Sequence, residues 1–153
     1  MDTSSALDFQ LAHRFFSTDC FNRVWEFIEK PRRTPDEDEQ MLLLTLASLW
    51  HWTQREDCTD RNLSIGYWQT ARVYALLGQS GNAMRYAELC LQISKEQPAF
   101  YQGYAHEAVA RAAMVAGDMP RMANHLDQAR KFAAAVADDE ERAMLEKDLQ
   151  TLA

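Results

Sequence analysis

The chain has little of what punctuates a β-rich or irregular fold: 5 glycines and 4 prolines in 153 residues. Collagen-like, low-complexity and sandwich sequences need more breakers or turn formers than that. Long apolar runs are missing too. The longest candidate, Met41 to Trp52, is interrupted by Thr45, Ser48 and His51 and falls short of the ~20 residues that span a bilayer. No basic stripe stands against the formal charge of −7, so neither nucleic acid nor a membrane is an expected partner. The opening residues Met1-Asp2-Thr3-Ser4-Ser5 show no basic segment leading into an apolar one, as a signal peptide would. Cysteine is scarce, and Cys20, Cys58 and Cys90 are odd in number and widely spaced, which suits a reducing cytoplasm better than a disulfide framework. These absences lead us to expect one cytoplasmic globular domain.

What is present is helical periodicity. Alternating β-branched runs are absent, and Ala, Leu, Glu and Arg dominate. Eight of the 23 acids sit in two runs, Asp36-Glu37-Asp38-Glu39 and Asp138-Asp139-Glu140-Glu141, without which the formal charge would be +1. Each run falls where a helix begins, and the helix dipole favours acids there. The spacing predicts a first helix from about Ser5 to Glu29, with Leu7, Leu11, Phe15, Phe21, Val24, Trp25 and Ile28 as one apolar stripe. Thr34-Pro35-Asp36-Glu37 reads as a capping box opening a second helix that runs to about Arg55. That helix is apolar around most of its circumference, with a polar strip of Thr45, Ser48, His51 and Arg55. Five more helices follow: Arg61 to Leu77, Asn82 to Lys95 (capped by Ser80 or Asn82), Ala99 to Ala116, Pro120 to Val136 with Asp118 as cap, and one from Asp138 onward. The expected fold class is all-α.

A shift of 39 residues superimposes Gly78 on Gly117, Ala71 on Ala110, Arg72 on Arg111 and Cys90 on Ala129. A repeat of that period turns a bundle into a stack of hairpins. Residues 1–57 then form a long N-terminal hairpin, 60–97 and 98–136 two repeats, and 138–153 a capping helix. Trp68 through Leu91, with Tyr74, Gly78, Ala83, Tyr86, Ala87 and Cys90, resembles a tetratricopeptide repeat (TPR); Tyr104 through Ala129 resembles a second, with Ala113 where a tyrosine is usual. A resemblance also spans nearly the whole chain. Phe21-Asn22-Arg23-Val24-Trp25, Arg33 to Glu39, Ala47-Ser48-Leu49-Trp50-His51-Trp52 and Trp68 to Ala75 look like a small, uncharacterised bacterial family of TPR-like helical proteins. That family often carries extra histidines in its second helix, where this chain has Leu43 and Leu46. The likeness implies a right-handed array of antiparallel hairpins in a cytoplasmic setting.

Few motifs carry chemistry. Among His13, His51, His106 and His125 no two stand three or four residues apart, and no Cys-x-x-Cys occurs, so no metal is expected. Gly78-Gln79-Ser80-Gly81 lacks the Lys-Ser/Thr of a phosphate loop, and there is no Gly-x-Ser-x-Gly elbow. No cofactor follows. The most suggestive set is a polar stripe of Arg61, Trp68, Arg72 and Gln79 on the third helix, matched on the fifth by Phe100, Tyr104, Glu107 and Arg111. The TPR resemblance puts Trp68, Arg72, Tyr104, Glu107 and Arg111 on the concave surface, where peptide-binding TPRs clamp a carboxylate with basic and amide side chains; Trp68 and Glu107 differ from that pattern. Two guanidiniums beside an indole suit an anionic or planar group. The same residues also read as an i, i+4 ion pair and a solvated arginine. His51 and Trp52 extend such a site from the second helix, or pack as core. The expectation is a non-catalytic scaffold binding a protein segment or small anionic ligand. The alternatives are an enzyme using His51 with Glu107, and a homo-oligomer whose groove the neighbouring subunit fills, for which 4 Trp, 5 Tyr and 7 Phe supply ample aromatic surface. Read as an open groove, Arg72→Ala and Arg111→Ala cost partner capture but less than about 1 kcal/mol of stability.

Overall fold

Seven helices and no strand make up the described residues, 7–152, of the computed structural model: α1 (Phe9–Ile28), α2 (Pro35–Gln54), α3 (Asp60–Leu76), α4 (Ser80–Ile93), α5 (Ala99–Ala116), α6 (Met119–Ala135) and α7 (Asp139–Gln150). Ser5, in the expected start of the first helix, lies outside the described residues; α1 is capped by Asp8, whose carboxylate accepts from the Leu11 amide. Among the described residues no helix is long and apolar enough to cross a membrane.

Two starts carry the caps expected of them: Thr34 accepts from Glu37 N with Pro35 in the first turn, and Asp118 caps α6; Asp138, expected as the first residue of α7, is instead its cap. The Thr34 box is only half closed, because the Glu37 side chain goes to Lys30. The complete capping box belongs to Thr59 and Asn62, which open α3 one residue ahead of the expected Arg61. α4 begins at Ser80 without any side-chain cap, so neither Ser80 nor Asn82 plays the expected role.

The 39-residue period is visible in the backbone. α3 and α5 begin at Asp60 and Ala99, α4 and α6 at Ser80 and Met119. Both first arms close on a left-handed glycine, Gly78 at φ 72° and Gly117 at φ 76°. The hydrogen bonds repeat as well: Gln79 N to Tyr74 O and Asp118 N to Ala113 O are both 2.9 Å. Such a cap satisfies the last carbonyls while turning the chain back, and a side chain at that φ would be strained. Each helix pairs with its successor, α3 also packs on α5, and α5 on α7. Small residues line those seams. Ala105, Ala108, Ala110, Ala112 and Ala113 of α5 are buried, and a β-carbon at Gly103 would come within 2.5 Å of Leu145 in α7.

The N-terminal hairpin departs from its sequence pattern. Val24 of the expected stripe is buried, as is Cys20, but Leu7, Leu11 and Phe15 of that stripe are 58–68% exposed. On α2 the relation is inverted: Thr45 and Ser48 are buried while Leu43 and Trp50 are exposed. The reason is local satisfaction of the hydroxyls. Thr45 Oγ1 donates to Met41 O one turn back in α2 at 2.8 Å, and Ser48 Oγ to Ser17 O across the α1–α2 seam at 2.7 Å, so both small side chains are buried without an orphaned polar group.

Candidate functional site

The polar stripes of α3 and α5 meet. Because the helices pack one repeat apart, the equivalent positions Trp68 and Glu107 touch: Trp68 Nε1 donates to Glu107 Oε2 at 2.7 Å. The other carboxylate oxygen accepts from Arg72 Nη1 at 3.1 Å and from Arg111 Nε at 2.7 Å. Glu107 is 0% exposed. An ion that is buried so fully is tolerated only when charge and hydrogen bonds replace water, and here two guanidiniums and an indole do so. Arg111 continues to the end of α7, where Nη2 donates to Oγ1 of the capping residue Thr151 at 2.6 Å. Tyr104 reaches the same helix through its hydroxyl, 2.6 Å from Asp148 Oδ2. Burial, and then the hydrogen bond to Asp148, push the Tyr104 phenol well up, so it donates across the physiological range. Burial also pulls the Arg72 guanidinium down from its usual value, against the opposing pull of Glu107.

The cluster therefore holds two cations, Arg72 and Arg111, against two anions, Glu107 and Asp148. Its side chains close on one another, leaving no room for a water molecule between Trp68, Ala71, Arg72, Glu107, Ala108 and Arg111. The expected i, i+4 pair exists, and Arg72 is no solvated bystander but the third arm of the same network.

Around this floor runs a chain of aromatic rings crossing α1, α3 and α5. Phe21 lies 6.4 Å from Trp25, Trp25 stacks on Trp68 at 5.7 Å, and Trp68 meets Tyr104 edge-on at 5.2 Å. Phe100 follows at 5.1 Å from Tyr104, and Tyr101 at 5.3 Å from Phe100. All six rings are half-buried. Arg61 lies over the Tyr101 ring, 4.8 Å from its centre. Trp25 is expected from the sequence only as part of the apolar stripe of α1, and nothing in the pattern singles out Asp148 or Thr151; the 39-residue register points to the first-arm seam but not to α1 or α7.

His51 and Trp52 stand apart from the cluster. His51 Nδ1 is 2.8 Å from His13 Nδ1, and its ring contacts Phe16 and Trp50. Trp52 carries the Arg55 guanidinium 3.9 Å above its ring and lines a cleft with Phe21 and Ile65. The partners of His51 and those of Glu107 share no residue, so the catalytic pairing envisaged from sequence has no contact behind it. A second histidine pair, His106 Nδ1 and His125 Nδ1 at 3.0 Å, bridges α5 and α6. Each pair needs one ring protonated on Nδ1 and the other on Nε2. Among the described residues no group of three or more His, Cys, Asp or Glu gathers to hold a metal. Cys90 is fully buried beside Ser64 O, and desolvation pushes its thiol up to about 12, so it packs rather than reacts. Compared with protein-family models, with curated proteins and with solved structures, the chain matches none.

Proposed function

We propose that this chain is a non-catalytic adaptor of TPR-like architecture that takes a protein segment along the face formed by α1, α3 and α5. The observation that carries the reading is the unbroken run Phe21–Trp25–Trp68–Tyr104–Phe100–Tyr101, six half-buried rings on three helices. Rings of this kind offer large contact area at low conformational cost, and each buried aromatic pair contributes about 0.5–1.5 kcal/mol beyond its area. The repeated hairpins and their matching glycine caps support the TPR-like arrangement, in which first-arm helices line a concave surface. Arg72 gives only Nη1 to a partner among the described residues, and its remaining N–H groups suit a carboxylate on the segment. Since Glu107 and Asp148 already offset both cations, aromatic contact supplies the affinity and Arg72 the polarity. A free anion has only that second, weaker term.

The test is a panel of short aromatic peptides, each as free acid and as C-terminal amide, titrated against the intrinsic fluorescence of Trp25 and Trp68. Binding should favour the free acid several-fold, change little between 50 and 500 mM salt, and fall at least tenfold in Phe100→Ala. Uniform failure of the panel, or binding that follows small anions and vanishes with salt, would remove the segment-binding reading.

A further inference from the structure

The first two turns of α1 are inside out. Between Phe9 and Phe16 the polar residues are Gln10, His13 and Arg14. Gln10 is turned inward, bonded to Gln54 O and Glu56 N, and His13 is bonded to His51. The outer arc carries Phe9 (66% exposed), Leu11 (60%), Phe15 (58%) and Phe16 (45%), with Ala12 between them. Trp50 of α2, 55% exposed, lies edge-on to His13 and extends the patch across the hairpin. Seven of the ten exposed large hydrophobics of the described chain fall on α1, α2 and the residue pair leading into α1.

We infer that this face is the contact between two copies of the chain, paired antiparallel along α1 about a two-fold axis near Ala12. Three observations support a second copy over other occupants. The first is area. Four aromatic rings and a leucine at these exposures present on the order of 500–600 Å² per subunit, and twice that approaches the ~1,200 Å² at which specific interfaces begin. As an exposed patch on a monomer it already stands at the upper end of what is usual. The second is charge. Copies with a formal charge of −7 repel each other, and between Phe9 and Phe16 the one charged side chain, the exposed Arg14, lies off the apolar arc, about 60° beyond Leu11 on the helical wheel.

The third is self-complementarity. At 100° per residue Phe9 and Phe16 share one flank of α1, Leu11 and Phe15 the other, and Ala12 lies in the groove between them. A two-fold antiparallel pairing brings like flanks together. Phe9 then meets Phe16 of the second copy, Leu11 meets Phe15, and the alanines let the helix axes approach. A patch that complements itself under a two-fold rotation is the signature of an isologous interface.

Sedimentation equilibrium of the full chain from 1 to 200 μM tests this, alongside the variants Leu11→Glu and Phe15→Glu and oxidative cross-linking of Ala12→Cys. Wild type should sediment as a dimer and both glutamate variants as monomers with unchanged circular dichroism. Ala12→Cys should form a disulfide-linked dimer that wild type, with its three native cysteines, does not. A monomer at 200 μM overturns the proposal, as does a dimer indifferent to both glutamates. So does a monomer that pellets with neutral phosphatidylcholine vesicles, which would assign the face to lipid.

Discussion

Glu107 shows how burial changes the meaning of a residue. On a helical wheel it pairs with Arg111 at the surface; in the fold it is the sealed centre of a four-residue network. Removing one partner of a buried ion pair is costly because the survivor keeps its desolvation penalty. Glu107→Ala should therefore lose about 3–5 kcal/mol in urea denaturation, as two half-buried guanidiniums lose their shared carboxylate. Arg72→Ala should lose about 2–3 kcal/mol, well beyond the 1 kcal/mol limit that an open groove implies. The double variant Glu107→Gln with Arg72→Met should be markedly less destabilised than the sum of its parts, since it removes charge from both sides while keeping an acceptor for Trp68. These residues were all legible in the sequence as two matching stripes, Trp68 and Arg72 on the third helix and Glu107 and Arg111 on the fifth. Their satisfaction by one another was not, because hydrogen bonds between helices depend on which faces pack.

At the scale of elements, the repeat was legible through its glycines. Gly78 and Gly117 mark turns whose geometry no other residue adopts cheaply, so both stand out in the chain and recur 39 residues apart. A β-carbon at either would meet nothing within 4 Å, so Gly78→Ala and Gly117→Ala should each cost about 1 kcal/mol through backbone strain alone, read as equal shifts in urea midpoint. Gly103 is the opposite case. It sits inside α5, where only space matters, and Gly103→Ala should cost about 1–3 kcal/mol by overpacking Leu145. Leu145→Val in the same chain should recover part of that loss. Helix boundaries fell within one or two residues of expectation where caps or glycines announce them. The burial pattern of α1 and α2 did not follow, since the apolar residues of α1 exceed what one seam absorbs and the wheel does not say which are left out. Thr45 and Ser48 are buried because their hydroxyls find backbone carbonyls, one in α2 and one across the seam in α1, a condition invisible to a hydrophobicity count.

For the molecule as a whole, histidine burial sets the response to acid. Desolvation, and then the neighbouring His125, lower His106 to about 4 from 6.5, and His51 and His125 move the same way. Between those two values the unfolded chain binds a proton that the folded chain refuses, so stability is complete above about pH 7 and declines as the pH falls toward 4. Each of these rings keeps some contact with water, so the loss at His106 should be on the order of 1 kcal/mol between pH 7.5 and 5. Urea midpoints across that range measure it, and His106→Gln, which does not titrate there, should flatten the slope.

Composition, period and turn residues by themselves determined an all-helical chain, the places where its helices start and stop, and the register of two hairpins. Those features follow from backbone preferences and near-neighbour hydrogen bonds, which are local. Only the tertiary structure decided that Glu107 would be sealed between two arginines and an indole, that histidines 38 and 19 residues apart would share protons, and that Phe9, Leu11, Phe15 and Phe16 would face outward. Each of those depends on which surface of one helix meets which surface of another, and that choice is made by the sum of packing over the whole chain.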